Sequence, residues 1–62
     1  MKVLRLPEVL DRVGFRRSKV YALIAAGQFP RPIALSTKTR GFLENEIDDW
    51  IQQRVDESRK PR

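Results

Sequence analysis

Residues 6–27 read LPEVLDRVGFRRSKVYALIAAG, and this stretch carries the start and stop signals of two short helices. Pro7 suits the first turn of a helix, because the N–H that proline lacks has no partner there. Gly14 can adopt the left-handed conformation that ends a helix, and Gly27 repeats that signal further along. Two helices joined by a short connector that contains a glycine form a helix-turn-helix pattern.

The apolar residues of this stretch recur at helical spacing. In the first helix, predicted over residues 6–14, the shared face consists of Val9, Leu10 and Val13. In the second helix, predicted over residues 17–26, the inward stripe consists of Val20, Leu23, Ile24 and Gly27. The residues predicted to face outward are Arg17, Ser18, Ala22 and Ala25. Phe15 is expected to fill the corner between the two helices.

A β-hairpin is predicted after the second helix. Pro30 and Pro32 favour extended backbone in the residues that precede them. Residues 33–35 and 40–43 are the candidate strands, and the polar residues between them form the connecting loop. Gly41 is interpreted as a strand-end or bulge residue.

A third helix is predicted from Asn45 to Val55. Its apolar face consists of Ile47, Trp50, Ile51 and Val55, with Trp50 expected to anchor the core. Residues 56–62 contain no apolar side chain, so we expect a flexible charged tail after a single domain of residues 1–55. The fold class that follows is mainly α with a small β-hairpin, a winged helix-turn-helix.

The composition excludes most classes of enzyme. The chain has 62 residues, 40% of them hydrophobic, and so small a core leaves no room for a cofactor pocket or a small-molecule site. It contains neither Cys nor His, which removes disulfides, the usual metal ligands and the best proton-transfer group near pH 7. No apolar run suits a membrane span or a signal peptide. We therefore expect a cytoplasmic protein that is not an enzyme and has no catalytic residue, metal or cofactor.

The distribution of charge indicates a polyanionic partner. Lys and Arg number 13 against 8 Asp and Glu, a formal net charge of +5. From Arg12 through Leu43 the chain has seven bases and no acid. A block of one sign within an otherwise mixed sequence is typical of nucleic-acid binding, although a basic domain can also simply be a soluble one.

The start of the second helix is the first candidate site. In a helix-turn-helix this end enters the major groove of DNA, where Arg can donate two hydrogen bonds to guanine. The candidate DNA-binding residues here are Arg16, Arg17, Ser18, Lys19 and Tyr21. Lys19 is interpreted as a phosphate contact, because a flexible point charge reads bases poorly. The alternatives are a solvated pair of arginines, a Ser18 that caps the helix, and a Tyr21 that is half-buried in the core.

The hairpin loop is the second candidate site. Its candidate DNA-binding residues are Thr37, Lys38, Thr39 and Arg40, all of which can donate hydrogen bonds to phosphate oxygens. A hairpin beside a recognition helix is a wing that grips the backbone or enters the minor groove. The alternative is an ordinary polar hairpin tip. We expect the cations of the helix and of the wing to converge on one face, with Arg17 and Lys38 on the same side.

The third helix begins with acids, among them Glu46, Asp48 and Asp49. Their sign argues that this helix points away from nucleic acid. They form either a solvated face that suits the helix dipole or a surface for a protein partner.

These motifs, taken in order, resemble the AlpA family of small prophage-type regulators, within the broader MerR-like and excisionase winged-helix group. The segments that carry the resemblance are LRLPEV (residues 4–9), VGFRRSKVY (13–21), FPRPI (29–33) and FLENEIDDWI (42–51), within residues 3–55. Arg16 stands where the family often has Ser or Thr. Asn45 stands where it often has Ser, and Asn caps a helix equally well. The resemblance implies a winged helix-turn-helix that binds DNA and regulates transcription, often of an integrase gene, or directs excision. It also implies that residues 16–19 and Tyr21 begin the recognition helix and that residues 37–40 form the wing.

The predicted function is sequence-specific binding of double-stranded DNA by a transcriptional regulator of prophage or mobile-element type, associated with the nucleoid. The expected protein partners are RNA polymerase or an integrase, and copies can associate cooperatively on DNA. One alternative is an excisionase, a recombination directionality factor that bends DNA for an integrase. Another is an adaptor that binds protein through the acidic third helix. RNA binding is disfavoured, because the basic surface carries no run of aromatic side chains for base stacking.

Overall fold

The computed structural model describes residues 2–60 of the chain. Its elements are, in chain order, β1 (Val3–Leu4), α1 (Leu6–Val13), α2 (Arg17–Ala25), β2 (Ile33–Ala34), β3 (Arg40–Leu43) and α3 (Glu44–Ser58). The predicted fold class is confirmed: three helices carry a small antiparallel sheet, in a winged-helix-like arrangement. In the described part of the chain, no helix combines the length and the apolar character that crossing a bilayer requires.

The sheet has three strands in the order β1-β3-β2, one more than the predicted hairpin. The added strand β1 pairs Leu4 with Phe42, while β2 pairs Ile33 with Gly41. Gly41 is therefore buried in the central strand, which corrects its interpretation as a strand-end or bulge residue. A Cβ at this position would clash with Val3 Cγ1 and would lie 3.2 Å from the carbonyl oxygen of Leu4. Glycine is needed here because neighbouring groups approach the backbone closely.

The core draws on every layer of the fold. Its buried residues are Leu4, Val9, Val20, Phe29, Phe42 and Ile47. Trp50 packs against this cluster, with its ring 4.9 Å from Phe29 and 6.2 Å from Phe15, centroid to centroid. Its indole N–H donates to the carbonyl oxygen of Gln28 at 2.8 Å. Trp50 thus packs on the core, as the sequence predicted, and it also joins α3 to the segments before and after α2. Phe15 lies in the connector between α1 and α2 and packs against the core.

The ends of α1 and α2 follow the glycine signals. Gly14 closes α1 with φ +72°, and its N–H donates to the carbonyl oxygen of Leu10 at 2.8 Å. Gly27 has the same φ just after α2, but it is exposed. Its predicted place in the inward stripe of α2 is therefore wrong, because the helix has already ended at Ala25.

The third helix is longer than predicted at both ends. It follows β3 directly, so Leu43 is the capping residue and Asn45 lies inside the first turn instead of capping the helix. The Glu44 N–H donates to the carbonyl oxygen of Lys2 at 2.9 Å, which ties this start to the chain beside β1. At the other end α3 continues past Val55 to Ser58. The flexibility of the tail over residues 56–62 stays a prediction, and its last two residues lie outside the described ones.

Candidate nucleic-acid interface

The first turn of α2 brings the four candidate residues at positions 16–19 together in space. Arg16 is the capping residue, with extended backbone at φ −86° and ψ 162°, and no side chain caps this helix start. Ser18 is already inside the helix, so the alternative that it caps α2 is wrong. The carbonyl oxygen of Arg16 accepts the N–H groups of Lys19 and Val20 at 3.1 and 3.2 Å. The side chains of residues 16–19 are all exposed.

This turn concentrates positive charge that the described chain does not neutralise. The first turn of α2 contains no acid. Within residues 2–60 the side-chain ion pairs are made by Arg12 and Arg54, so the cations of α2 and the wing take no part in them. Lys19 Nζ lies 5.9 Å from the ring centroid of Phe15, which holds the ammonium beside the helix start. Helix N-termini also carry positive partial charge, so this surface suits an external anion.

Tyr21 of α2 and Arg40 at the base of the wing border the same cleft. Both line one cleft of about 310 Å³, whose other lining residues are Leu6, Ile24, Pro32 and Phe42. Tyr21 is 53% exposed and lines the cleft, so both the DNA-contact hypothesis and the half-buried alternative stay open. α2 and the base of the hairpin therefore border one cleft of the molecule.

The wing loop is organised by its own backbone. The carbonyl oxygen of Thr39 accepts the N–H groups of Leu35 and Ser36 at 2.7 and 3.1 Å, and Lys38 N–H donates to Ser36 Oγ at 3.4 Å. Thr39 is half-buried, whereas Thr37 and Lys38 are exposed at the tip. The loop thus presents a hydroxyl and an ammonium outward, and Arg40 follows at the start of β3.

One cation of the basic block belongs to a structural contact that the sequence did not reveal. Arg12 donates to Glu44 at 2.7 Å and to Asp48 at 3.1 Å, which joins α1 to the start of α3. Asp48 is therefore not part of a purely solvated acidic face, and the positive charge of Arg12 is neutralised locally. Glu46 and Asp49 remain exposed on α3. Arg12 lies more than 30 residues from both partners in the sequence, so only the three-dimensional structure shows this contact.

The described residues provide no group of three or more carboxylates that could hold a metal ion. The chemistry of this surface is that of hydrogen-bond donors and cations. Such groups recognise anions.

Comparison with known proteins identifies a family and two relatives of this chain. The family described as "Prophage CP4-57 regulatory protein (AlpA)" matches residues 2–55, which include both helices, the wing and most of α3. The DNA-binding transcriptional activator AlpA of Escherichia coli (strain K12) is 33% identical over 60 residues, covering 87% of this chain and 86% of its own.

A second relative comes from a phage. The uncharacterised protein ORF88 of Enterobacteria phage P4 is 37% identical over 54 residues, which cover 87% of this chain. The chain spans 61% of the length of that protein. The family match extends over most of the sequence, and the chain therefore belongs to the AlpA family of prophage regulatory proteins.

Proposed function

We propose that this protein binds double-stranded DNA in a sequence-dependent manner, with α2 in the major groove and the hairpin wing on the adjacent backbone. Arg16 and Arg17 lie at the end of α2 that faces base edges in helix-turn-helix proteins. Arg donates two parallel hydrogen bonds to guanine, and Lys19 contacts a phosphate. Thr37 and Lys38 of the wing grip the neighbouring phosphates.

The single observation that carries the proposal is the shared surface of α2 and the wing. Tyr21 of α2 and Arg40 of β3 line the same cleft, which supports an approach of both basic segments to a ligand from one side. That Arg17 and Lys38 share this side is part of the proposal. The cations of this surface have no partner among the ion pairs of residues 2–60. A long, regular polyanion can engage both segments at once, which a small anion cannot.

We further propose that DNA binding serves transcription regulation of a prophage or mobile element. The E. coli relative is described as a DNA-binding transcriptional activator, which favours this role over that of a recombination directionality factor. A reporter assay with the protein supplied alone, run beside an integrase-dependent excision assay, separates the two roles. Excision without any change in reporter output would favour the recombination role.

The adaptor hypothesis has less support from the contacts of α3. Asp48 and Glu44 are engaged by Arg12, so part of the negative charge at this helix start is already neutralised. Charge reversal at Asp49, which is exposed, tests the remaining surface. Loss of regulation with DNA affinity intact would support an adaptor.

A titration of duplex DNA at several salt concentrations tests the binding mode. Affinity should fall steeply as salt rises, because each neutralised phosphate contributes about −0.9 to the slope of log K against log salt. Replacing a phosphate-contacting Lys should reduce that slope by about 1. Arg59→Ala is a matched control, since Arg59 follows α3 and is exposed far along the chain from both segments. An affinity that does not change with salt contradicts the proposal.

Selection of bound duplexes from a random pool tests sequence dependence. We expect Arg17→Ala to lose preference at one or two base pairs, at about 1–3 kcal/mol each. A uniform loss over all sequences would instead assign Arg17 to the DNA backbone.

A further inference from the structure

We propose that the cleft between α2 and β3 receives one deoxyribose-phosphate unit of the DNA backbone. The Tyr21 hydroxyl and the Arg40 guanidinium then donate to the same phosphate group. This inference rests on the proposed DNA binding and adds a defined subsite to it.

The lining of the cleft has two chemical parts. Four of the six lining residues, Leu6, Ile24, Pro32 and Phe42, are apolar, and the polar side chains that line the volume of about 310 Å³ are those of Tyr21 and Arg40. Neither polar side chain takes part in a side-chain hydrogen bond or an ion pair within the described residues. An occupant must therefore combine an apolar surface with a strong hydrogen-bond acceptor.

A sugar-phosphate unit matches this combination. The deoxyribose ring presents C–H groups to the apolar residues, and the attached phosphate accepts hydrogen bonds from a phenol and a guanidinium. Arg is well suited to phosphate because its planar donors match the oxygens in pairs. A base is a poorer occupant, because it would have to leave the stacked duplex at a cost of a few kcal/mol. The sugar-phosphate chain already lies on the outside of the duplex.

The cleft lies between α2 and the base of the wing, so a phosphate bound in it would contact both elements. Tyr21 belongs to the helix that enters the major groove, and Arg40 pairs with Ala34 at the base of the wing. Phe42, which lines the cleft, is 5% exposed and fixes β3 against the core. One phosphate held between the two elements would set the register of helix and wing on the same DNA strand, as backbone contacts do in general.

The experiment combines two protein variants with single methylphosphonate substitutions in a bound duplex, each of which removes the charge of one phosphate. We expect Tyr21→Phe to weaken binding about ten-fold on every duplex sequence, the effect of one hydrogen bond to a charged group. At one position, methylphosphonate substitution should weaken binding by the unaltered protein. On that duplex Tyr21→Phe should cause no additional loss of affinity. The same position should remove most of the effect of Arg40→Met.

Lys38→Met is the matched control, since Lys38 lies at the wing tip and not in the cleft. Lys38→Met should still lower the affinity for the duplex whose methylphosphonate removes the effects of Tyr21→Phe and Arg40→Met. Thermal unfolding of each variant checks that the fold is intact, and Tyr21→Phe should leave it unchanged because the ring is half exposed.

Two results would overturn the inference while leaving DNA binding in place. Different methylphosphonate positions for Tyr21→Phe and Arg40→Met would mean two separate phosphates. A Tyr21→Phe effect that depends on base sequence would mean that the hydroxyl contacts a base. If the unaltered protein shows no salt-dependent affinity for any duplex, the proposed function itself fails, and the two failures are thereby distinguished.

Discussion

The starts of α1 and α2 have the same backbone geometry and opposite chemistry. Each helix has an arginine at its capping position, with φ −85° and ψ 161° at Arg5 and φ −86° and ψ 162° at Arg16. Neither arginine caps through its side chain. Three residues later the two helices diverge, because α1 has Glu8 where α2 has Lys19.

At the start of α1 the protein's own side chain supplies a hydrogen bond and a favourable charge, whereas at the start of α2 the equivalent side chain supplies neither. Glu8 Oε1 accepts the N–H of Arg5 at 3.4 Å, which is half of a capping box, and its charge complements the helix dipole. Lys19 has the unfavourable sign at the equivalent position. The start of α2 thus carries a charge that the helix dipole disfavours, and the proposed DNA contact would complement it, whereas Glu8 complements the dipole at the start of α1.

The largest effect is expected from Lys19→Glu, which gives α2 the chemistry of α1. Affinity for duplex DNA should fall at least 30-fold, because a phosphate contact is lost and a like charge faces the backbone. The free energy of unfolding should rise by about 0.3–1 kcal/mol, because the new carboxylate complements the helix dipole. Electrophoretic titration and urea unfolding measure the two quantities on the same protein.

The matched control for this exchange is Glu8→Lys in α1. It should lower stability by a similar amount and should not weaken DNA binding. If Lys19→Glu retains full affinity, the two helix starts are functionally equivalent and α2 is not the recognition helix.

The helix ends, the central strand and the anchoring residue of the core could be predicted from local sequence. The helix ends at Gly14 and after Ala25, the wing strand β3 and the anchoring role of Trp50 all follow from spacing and from turn chemistry. The exposure of the cations at residues 16–19 follows as well, because they lie outside the apolar spacing of Val20, Leu23 and Ile24.

The remainder depends on contacts distant in sequence. The strand β1 has two residues, too few for any periodic signal, and its partner β3 begins at residue 40. The last turns of α3 have no apolar pattern beyond Val55. Polar pairs extend the helix there: Gln52 donates to Asp56 at 2.9 Å and Arg54 lies 3.6 Å from Glu57.

The second prediction concerns Arg12, the cation of the basic block that lies in α1. Arg12→Ala should lower the free energy of unfolding by about 1 kcal/mol, because partly exposed ion pairs contribute little each and two are lost. DNA affinity and its salt slope should not change, in contrast to the cations of α2. Urea unfolding and the duplex titration check the two halves of this statement.

A double-mutant cycle sharpens the same prediction. Coupling of Arg12 to Glu44 should exceed its coupling to Asp48, because the Glu44 side chain is 29% exposed and that of Asp48 is 56% exposed. Arg12→Ala with reduced DNA affinity but unchanged stability would place α1 in the interface and remove the contrast between the two helices.

The smallest effects are expected from Glu8→Ala and Lys19→Ala. Each substitution removes the charged side chain that lies three residues after the capping arginine of its helix. Removing Glu8 should cost about 0.5 kcal/mol of stability, since its hydrogen bond to Arg5 is long and its position is exposed. Removing Lys19 should instead stabilise the protein by a few tenths of a kcal/mol, because an unfavourable charge at a helix start disappears. Precise urea midpoints at low salt measure this difference in sign, and high salt should shrink it. If both substitutions lower the free energy of unfolding equally, the contact of Lys19 with the Phe15 ring outweighs the unfavourable helix dipole. Lys19 would then stabilise the start of α2 as Glu8 stabilises that of α1.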